Sequence, residues 1–145
     1  MQWVTWENVG IDRIASAWLI TRFVDHHAEF VFFPEDTLPP ARDAGETFDI
    51  PGARLSHRRG HCTFHTIVQE YGIKDSVLDR MARLIDEADT IQEATLEPAA
   101  LGVDWVCRGL RKICRDDNEA IQKGSLIFDG LYAYLIEEVG PASTG

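Results

Sequence analysis

The stretch QWVTWENVGIDRIASAWLITRFVDHHAEFVFF (residues 2–33) changes its hydrophobic period twice, and these changes decide the fold class. Residues 2–6 alternate in the manner of a β-strand. The apolar positions from Asp12 to about Val24 recur every three or four residues, which is typical of an amphipathic helix. EFVFF at residues 29–33 then indicates a buried strand. A strand, a helix and a second strand are therefore predicted in this order.

The chain after Phe33 adds two short strands and then helices. The strands are predicted at residues 47–50 and 53–57, on either side of a Pro-Gly turn. From there on the apolar residues follow helical spacing. The stripes that define these helices lie at residues 64–71, 77–88, 103–114 and 126–138.

The last of these helices is apolar on almost every side, which favours a central place in the core. Gly124 and Ser125 are expected to interrupt the helical segment just before it. Together the elements predict a single α+β domain over residues 1–145. In this domain a small early β-sheet packs on a predominantly helical bundle.

Composition and charge narrow the classes of function. The chain has 145 residues and a net charge of -10, and a surface this acidic disfavours binding to a phosphate backbone. It has neither an 18-residue apolar run nor a basic region followed by an apolar one at the start, so no membrane span and no secretory signal are expected. The three cysteines form no disulfide framework. We therefore expect a cytoplasmic protein with no nucleic-acid or membrane partner.

The segment SHRRGHCTFH, residues 56–65, holds three of the five histidines. His61 and His65 are four residues apart and would chelate a metal ion if the helix began by residue 61. His57 ends a predicted strand and can point to the same place. If the helix begins at Thr63 instead, His61 lies in a turn and the pair need not converge. The alternative interpretation is an exposed polar loop.

The next helix offers carboxylate ligands from outside this segment. Asp89 falls at the margin of the apolar stripe and is the preferred further ligand, with Asp86 as the second choice. The alternatives are an arginine partner for Asp89 and Arg83 as the helical neighbour of Asp86. A mixed set of histidines and carboxylates predicts a divalent ion, Fe, Mn or Zn. Asp12 is interpreted as a cap of its own helix.

Cys62 is the candidate catalytic residue. It lies near a helix N-terminus beside Arg58, Arg59 and His61, and these features lower the pKa of a thiol. Metal ligation and simple packing at the helix start are the alternatives. The other two cysteines, Cys107 and Cys114, are interpreted as buried core residues.

A basic patch on the helix of residues 103–114 is the candidate site for a small oxyanion. Its arginines are Arg108, Arg111 and Arg115. The alternative is favourable charge at a helix C-terminus with pairing to nearby acids. Trp105 points away from the stripe of this helix and suggests a second packing surface or a homodimer contact. Asp129, in the last helix, must be paired or serve a site.

Several separated motifs resemble one family, the C-terminal domain of the chromate-resistance protein ChrB. They are DRIASAWLITRFVD (12–25), FDIPGARLSHRRGHCTF (48–64), residues 85–89 and FDGLYAYL (128–135). The resemblance implies a role in chromate resistance, with chromate as the small oxyanion. Full-length members are chromate-responsive regulators of an efflux operon. Their N-terminal DNA-binding part has no counterpart here, so we expect no direct DNA binding by this chain alone.

The resemblance also assigns individual positions. The positions that match the family motif are Asp12, Arg13, His57, Cys62, Phe64, Asp89 and Asp129. His65 stands where relatives commonly carry Glu, and Asp86 where they commonly carry His. This exchange keeps a mixed set of histidines and carboxylates.

Three hypotheses follow. The first is a domain for chromate sensing or detoxification, a stress response, that binds a metal ion or oxyanion through His57, His65 and Asp89 beside Cys62. The second is a metal- or thiol-dependent enzyme, redox or hydrolytic, on a small substrate. The third is an interaction or dimerisation module without a ligand.

Overall fold

The computed structural model describes residues 1–37, 45–89 and 96–139. A small parallel sheet opens the fold, with strands β1 (Gln2–Trp6), β2 (Glu29–Phe33) and β3 (Glu46–Thr47) in the order β2-β1-β3. Val4 of β1 lies opposite Val31 of β2 and Thr47 of β3. The first two strands have the predicted bounds, but β2 is not the buried strand expected, since only Phe33 of its five residues is buried.

The described part of the chain has five α-helices, of which the first lies between β1 and β2 and the other four follow β3. They are α1 (Ile11–Leu19), α2 (Thr63–Glu70), α3 (Ser76–Asp89), α4 (Ala100–Ile113) and α5 (Asp117–Val139). The chain leaves α1 through a π-helical turn, Ile20–Val24. The predicted α+β class, a small sheet with a larger set of helices, is confirmed.

Helix α1 is the central element. All its residues except Arg13 are buried, and it contacts each of the other four helices. The ring of Trp18 stacks on that of Phe64 in α2 and makes a tilted contact with that of Phe128 in α5, with centroid separations of 6.4 and 6.3 Å. Since α1 follows β1 after a short link, its first turn stays beside the carboxyl end of that strand. This placement locates the site described below.

Three predictions about the elements are wrong. Of the strand predicted at residues 47–50, only Thr47 lies in β3. Residues 53–57 form no strand, and Leu55 makes only an isolated bridge with Phe48. Helix α5 runs unbroken through Gly124. This glycine does not interrupt the helix but lies where α5 packs against Ile14 of α1. A Cβ atom there would lie 2.5 Å from Ile14 Cγ2, so glycine permits the close approach of the two helices.

The exposed faces of α4 and α5 also differ from the prediction. Leu126 and Tyr134 of α5 are 74% and 58% exposed, so this helix is not central on every side. On α4, Ile113 of the predicted stripe is 77% exposed, whereas Asp104 is buried. Trp105 points outward as predicted. Within the described ranges, none of the helices has the length and apolar character needed to cross a bilayer.

Candidate functional site

A cleft of about 580 Å³ opens at the carboxyl end of β1. The first turn of α1, the loop before α2, the end of α3 and one side of α4 form its walls. The charged side chains that line it are Asp12, Arg13, Glu35, Asp49, His57, Asp89, Asp104, Arg108 and Arg111. Both charge signs therefore meet in one concave surface.

Asp12 is the most firmly held of these side chains. It is 3% exposed, and its Oδ2 and Oδ1 atoms accept the backbone N–H groups of Thr63 (2.8 Å) and Phe64 (3.0 Å). A carboxylate at this point satisfies free donors of α2 and complements its dipole. The interpretation of Asp12 as a cap of its own helix is wrong, because it caps α2 across the fold.

His57 bridges Asp12 and Asp89. Its Nε2 atom lies 2.9 Å from Asp12 Oδ2 and 3.1 Å from Asp89 Oδ2, with Asp49 Oδ1 at 3.8 Å. The hydrogen bonds to Asp12 and Asp89 raise the pKa of His57 to about 10, against the smaller opposing effect of burial. The ring is therefore an imidazolium at neutral pH in the metal-free protein.

Asp49 forms a second layer behind His57. Its carboxylate accepts Arg13 Nε–H (2.9 Å) and the Thr63 hydroxyl (2.5 Å), and its backbone carbonyl accepts Arg13 Nη2–H (2.9 Å). Burial and the nearby Asp12 raise the pKa of Asp49 to about 7, while Arg13 and Thr63 oppose the shift. The residue adopts φ 54°, a left-handed conformation that Asp tolerates better than most residues.

One ligand atom each from Asp12, His57 and Asp89 lie within 4.8 Å of one another. One imidazole and two carboxylates form a set that suits Mn, Fe or Zn. A proton on Nε2 of His57 links the two carboxylates, and a divalent cation bound by this set would have to replace that proton. Asp89 has the partner side chain His57 rather than the arginine of the alternative interpretation.

The other predicted ligands form a separate cluster. His61 Nδ1 lies 2.8 Å from Asp86 Oδ2, and the rings of His61 and His65 are stacked with centroids 4.0 Å apart. Both rings face a different groove that shares no lining residue with the cleft. Since α2 begins at Thr63, His61 lies in the preceding turn. His65 therefore does not join His57 and Asp89, and the predicted ligand set is divided.

The family described as ChrB, C-terminal domain, matches residues 3–135. The chain belongs to this family. Protein ChrB of Cupriavidus metallidurans (strain CH34) is 30% identical over 135 residues, which cover 92% of this chain and 40% of that protein. The chain thus spans about two fifths of the length of this relative. No solved structure shows significant similarity to it.

Cys62 of this ChrB-family domain is not the activated thiol that its neighbours in sequence suggest. Its side chain is fully buried, and burial, reinforced by Asp12 and Asp86, raises the thiol pKa far above its usual range. The predicted lowering is wrong, because Asp86 rather than an arginine faces the helix start. Cys107 is buried as predicted, whereas Cys114 is partly exposed.

The three predicted oxyanion-binding arginines do not all lie in the cleft. Arg108 and Arg111 line the cleft, with Arg108 Nε–H donating to buried Asp104 at 2.9 Å. Arg115 lies outside the cleft, 3.6 Å from Glu119, as the alternative of pairing with nearby acids predicts. Asp129 is paired, since it accepts the Trp18 indole N–H at 2.8 Å and a hydrogen bond from Arg22.

Neither Asp12 nor Asp49 was predicted as a member of the site, although Asp12 is among the positions that match the family motif. Asp12 carries a further signal, since it and Ser16, four positions later, are polar residues on one face of a largely apolar helix. The Ser16 hydroxyl does donate to Asp12, at 3.3 Å. Asp49 carries no comparable signal, because it lies in a short irregular segment.

Proposed function

We propose that the protein is a metal-binding domain serving chromate resistance, with Asp12, His57 and Asp89 as the ligands of one divalent ion. The convergence of their ligand atoms within 4.8 Å carries the proposal. Membership of the ChrB family supports the link to chromate. The ion is Fe, Mn or Zn, because the set combines one imidazole with hard carboxylate oxygens.

The surroundings of Asp12 favour metal binding over a purely structural ion pair. Two backbone N–H groups fix its carboxylate, so little ordering is needed when an ion arrives. Asp89 and His57 remain partly exposed to the cleft, with side-chain exposures of 29% and 49%. An ion therefore has an entry path and room for water or anion ligands.

The same cleft supplies a place for a small oxyanion such as chromate. Arg108 and Arg111 line it together with the three proposed ligands. Guanidinium groups and a metal ion suit a tetrahedral dianion, since both offer positive charge and directional contacts. A binding role is favoured over thiol catalysis, because the Cys62 thiol is buried with a raised pKa.

The test is a titration of tag-free protein with Mn²⁺, followed by the EPR signal of the free ion, with Zn²⁺ as a competitor. Wild type and the control variant His27→Ala, which alters an exposed histidine outside the cleft, should each bind one Mn²⁺. His57→Ala and Asp89→Asn should bind at least tenfold more weakly. If His57→Ala bound Mn²⁺ and Zn²⁺ as tightly as wild type does, this centre would be ruled out.

A further inference from the structure

The second histidine cluster lies on a rigid turn. Arg58 and His61 exchange two backbone hydrogen bonds, of 3.1 and 2.9 Å, and the two residues between them have φ values of 53° and 80°. Two consecutive positive φ values with this pairing are typical of a type I′ turn. The backbone of His61 is therefore fixed next to the first turn of α2.

Asp86 fixes the ring of His61. It is buried, and its Oδ2 atom lies 2.8 Å from His61 Nδ1 while Oδ1 accepts the Cys62 N–H at 2.6 Å. An ionised carboxylate only accepts, so Nδ1 carries the proton. In the neutral ring the lone pair is then on Nε2, at the end away from Asp86. This carboxylate–histidine arrangement is the one that orients ligands in metal sites.

His65 lies beside His61 as a second imidazole. The two rings are nearly parallel, with an interplanar angle of 18° and centroids 4.0 Å apart. Burial and the adjacent His61 lower the pKa of His65. Among the described residues, none forms a hydrogen bond with the His65 ring. The ring can therefore turn toward a ligand without losing a contact of this kind.

The groove at this point is about 400 Å³, and its further lining residues are Arg58, Arg59, Thr66 and Gln69. The Arg58 guanidinium donates to Glu70 at 2.7 Å, which offsets its charge. Asp86 lies directly behind His61 and supplies negative charge to a bound cation. At the paired rings the carboxylate of Asp86 therefore favours a cation, whereas Arg59 adds a positive charge to the lining of the groove.

We propose that His61 and His65 chelate a borderline transition-metal ion at a second site, with Asp86 as the residue that positions His61. The site is independent of the Asp12–His57–Asp89 centre, because the two clusters face different clefts. Two imidazoles favour Cu²⁺, Ni²⁺ or Zn²⁺ over Mn²⁺, following the usual order of affinities for nitrogen ligands. Water completes the coordination shell.

The test uses tag-free full chain carrying His57→Ala, so that the first centre is already disabled, and Cu²⁺ as the probe. Titration should show one bound Cu²⁺, and the EPR spectrum should show coupling to two imidazole nitrogens. Adding His65→Ala should weaken binding at least tenfold and leave one coupled nitrogen. Adding His27→Ala instead should change neither quantity.

Asp86→Asn, also in the His57→Ala background, separates orientation from ligation. It should weaken Cu²⁺ binding by about 10- to 100-fold while the number of coupled nitrogens stays at two. The His65→Ala comparison decides the question even if Asp86→Asn fails to fold. Absence of Cu²⁺ binding in His57→Ala, or an unchanged affinity and spectrum after His65→Ala, would overturn the second site.

Discussion

Asp12 and Asp86 cap the same helix from two different helices. Asp12, on α1, accepts the N–H groups of Thr63 and Phe64, and Asp86, on α3, accepts that of Cys62. Each carboxylate also holds a histidine ring, His57 and His61 respectively. The start of α2 thus organises both histidine clusters. A helix of eight residues gains little stability from its own hydrogen bonds, so these external caps matter for the fold as well.

Removal of the Asp12 carboxylate should destabilise the protein strongly. Asp12→Ala leaves two buried N–H donors without an acceptor and His57 without its nearer partner, and we expect a loss of about 3–5 kcal/mol. Asp12→Asn keeps one acceptor oxygen and should lose less. Urea denaturation measures both. The control Asp36→Asn changes an exposed residue and should lie within about 0.5 kcal/mol of wild type; an Asp12→Ala protein equally close to wild type would contradict the capping role.

Loss of the His57 proton should make the metal-free protein less stable at alkaline pH. Its pKa rises from 6.5 to about 10 on folding, so its contribution is complete below about pH 6.5 and is lost as the pH rises to 10. Because the ring is half exposed, solvent screening reduces the expected contribution to about 1–2 kcal/mol. Wild type should exceed His57→Gln by this amount at pH 6 and by much less at pH 10, in urea denaturation with a chelator present. A difference that is constant with pH would refute the assignment.

Two glycines of α5 provide a matched pair. Gly124→Ala places a Cβ atom 2.5 Å from Ile14 Cγ2 in the core and should cost about 1–2 kcal/mol, since overpacking exceeds the gain in helix propensity. Gly130→Ala meets no atom within 4 Å and should stabilise the helix by about 0.5–1 kcal/mol. Thermal denaturation should therefore move in opposite directions for the two variants. Shifts of the same sign would show that α1 and α5 are not packed as described.

Features that depend on neighbouring residues could be predicted from the sequence, whereas features that depend on contacts between distant residues could not. β1 and β2 have the predicted bounds, because hydrophobic patterning is a local property and each strand pairs along its full length. The interruption expected at Gly124 follows from the local preference of glycine, whereas the contact of Gly124 with Ile14 joins two distant helices. Asp12 was likewise read as a local cap, although the groups it accepts lie 51 and 52 residues away.

The separation of His57 from His61 and His65 could not be predicted from the sequence for the same reason. The spacing of His57, His61 and His65 places them in one segment but does not say on which side of the chain each ring lies. The sides are set by Asp12 and Asp86, which come from α1 and α3 and approach α2 from different helices. Asp89 and His57 could be proposed together from the sequence, but the second carboxylate beside His57, that of Asp12, could be identified only from the fold.

The thiols should react in an order that the sequence does not predict. Cys62 and Cys107 are buried and burial raises the pKa of each thiol, whereas Cys114 is partly exposed. A thiol reagent at pH 8 should therefore modify Cys114 first, and Cys62 only as fast as the protein opens. Cys114→Ser should abolish the fast phase, and denaturation should expose all three cysteines in wild type. A fast phase that persists in Cys114→Ser and disappears in Cys62→Ser would restore Cys62 as a reactive thiol.

Arg111 provides the sharpest test of the oxyanion proposal. It lines the cleft, whereas Arg115 lies four residues further along the chain and outside it. Arg108 is less suitable for substitution, because its loss would leave buried Asp104 without its cation. Arg111→Ala should weaken chromate binding by about 10- to 100-fold, the effect of losing one charge-assisted contact of 1.5–3 kcal/mol. Arg115→Ala carries the same loss of charge and should leave the affinity nearly unchanged. Isothermal titration with chromate, in metal-free and Mn²⁺-loaded protein, measures both variants. Equal weakening in the two variants would mean that the anion senses only the general charge of α4, and the cleft would then not be its binding site.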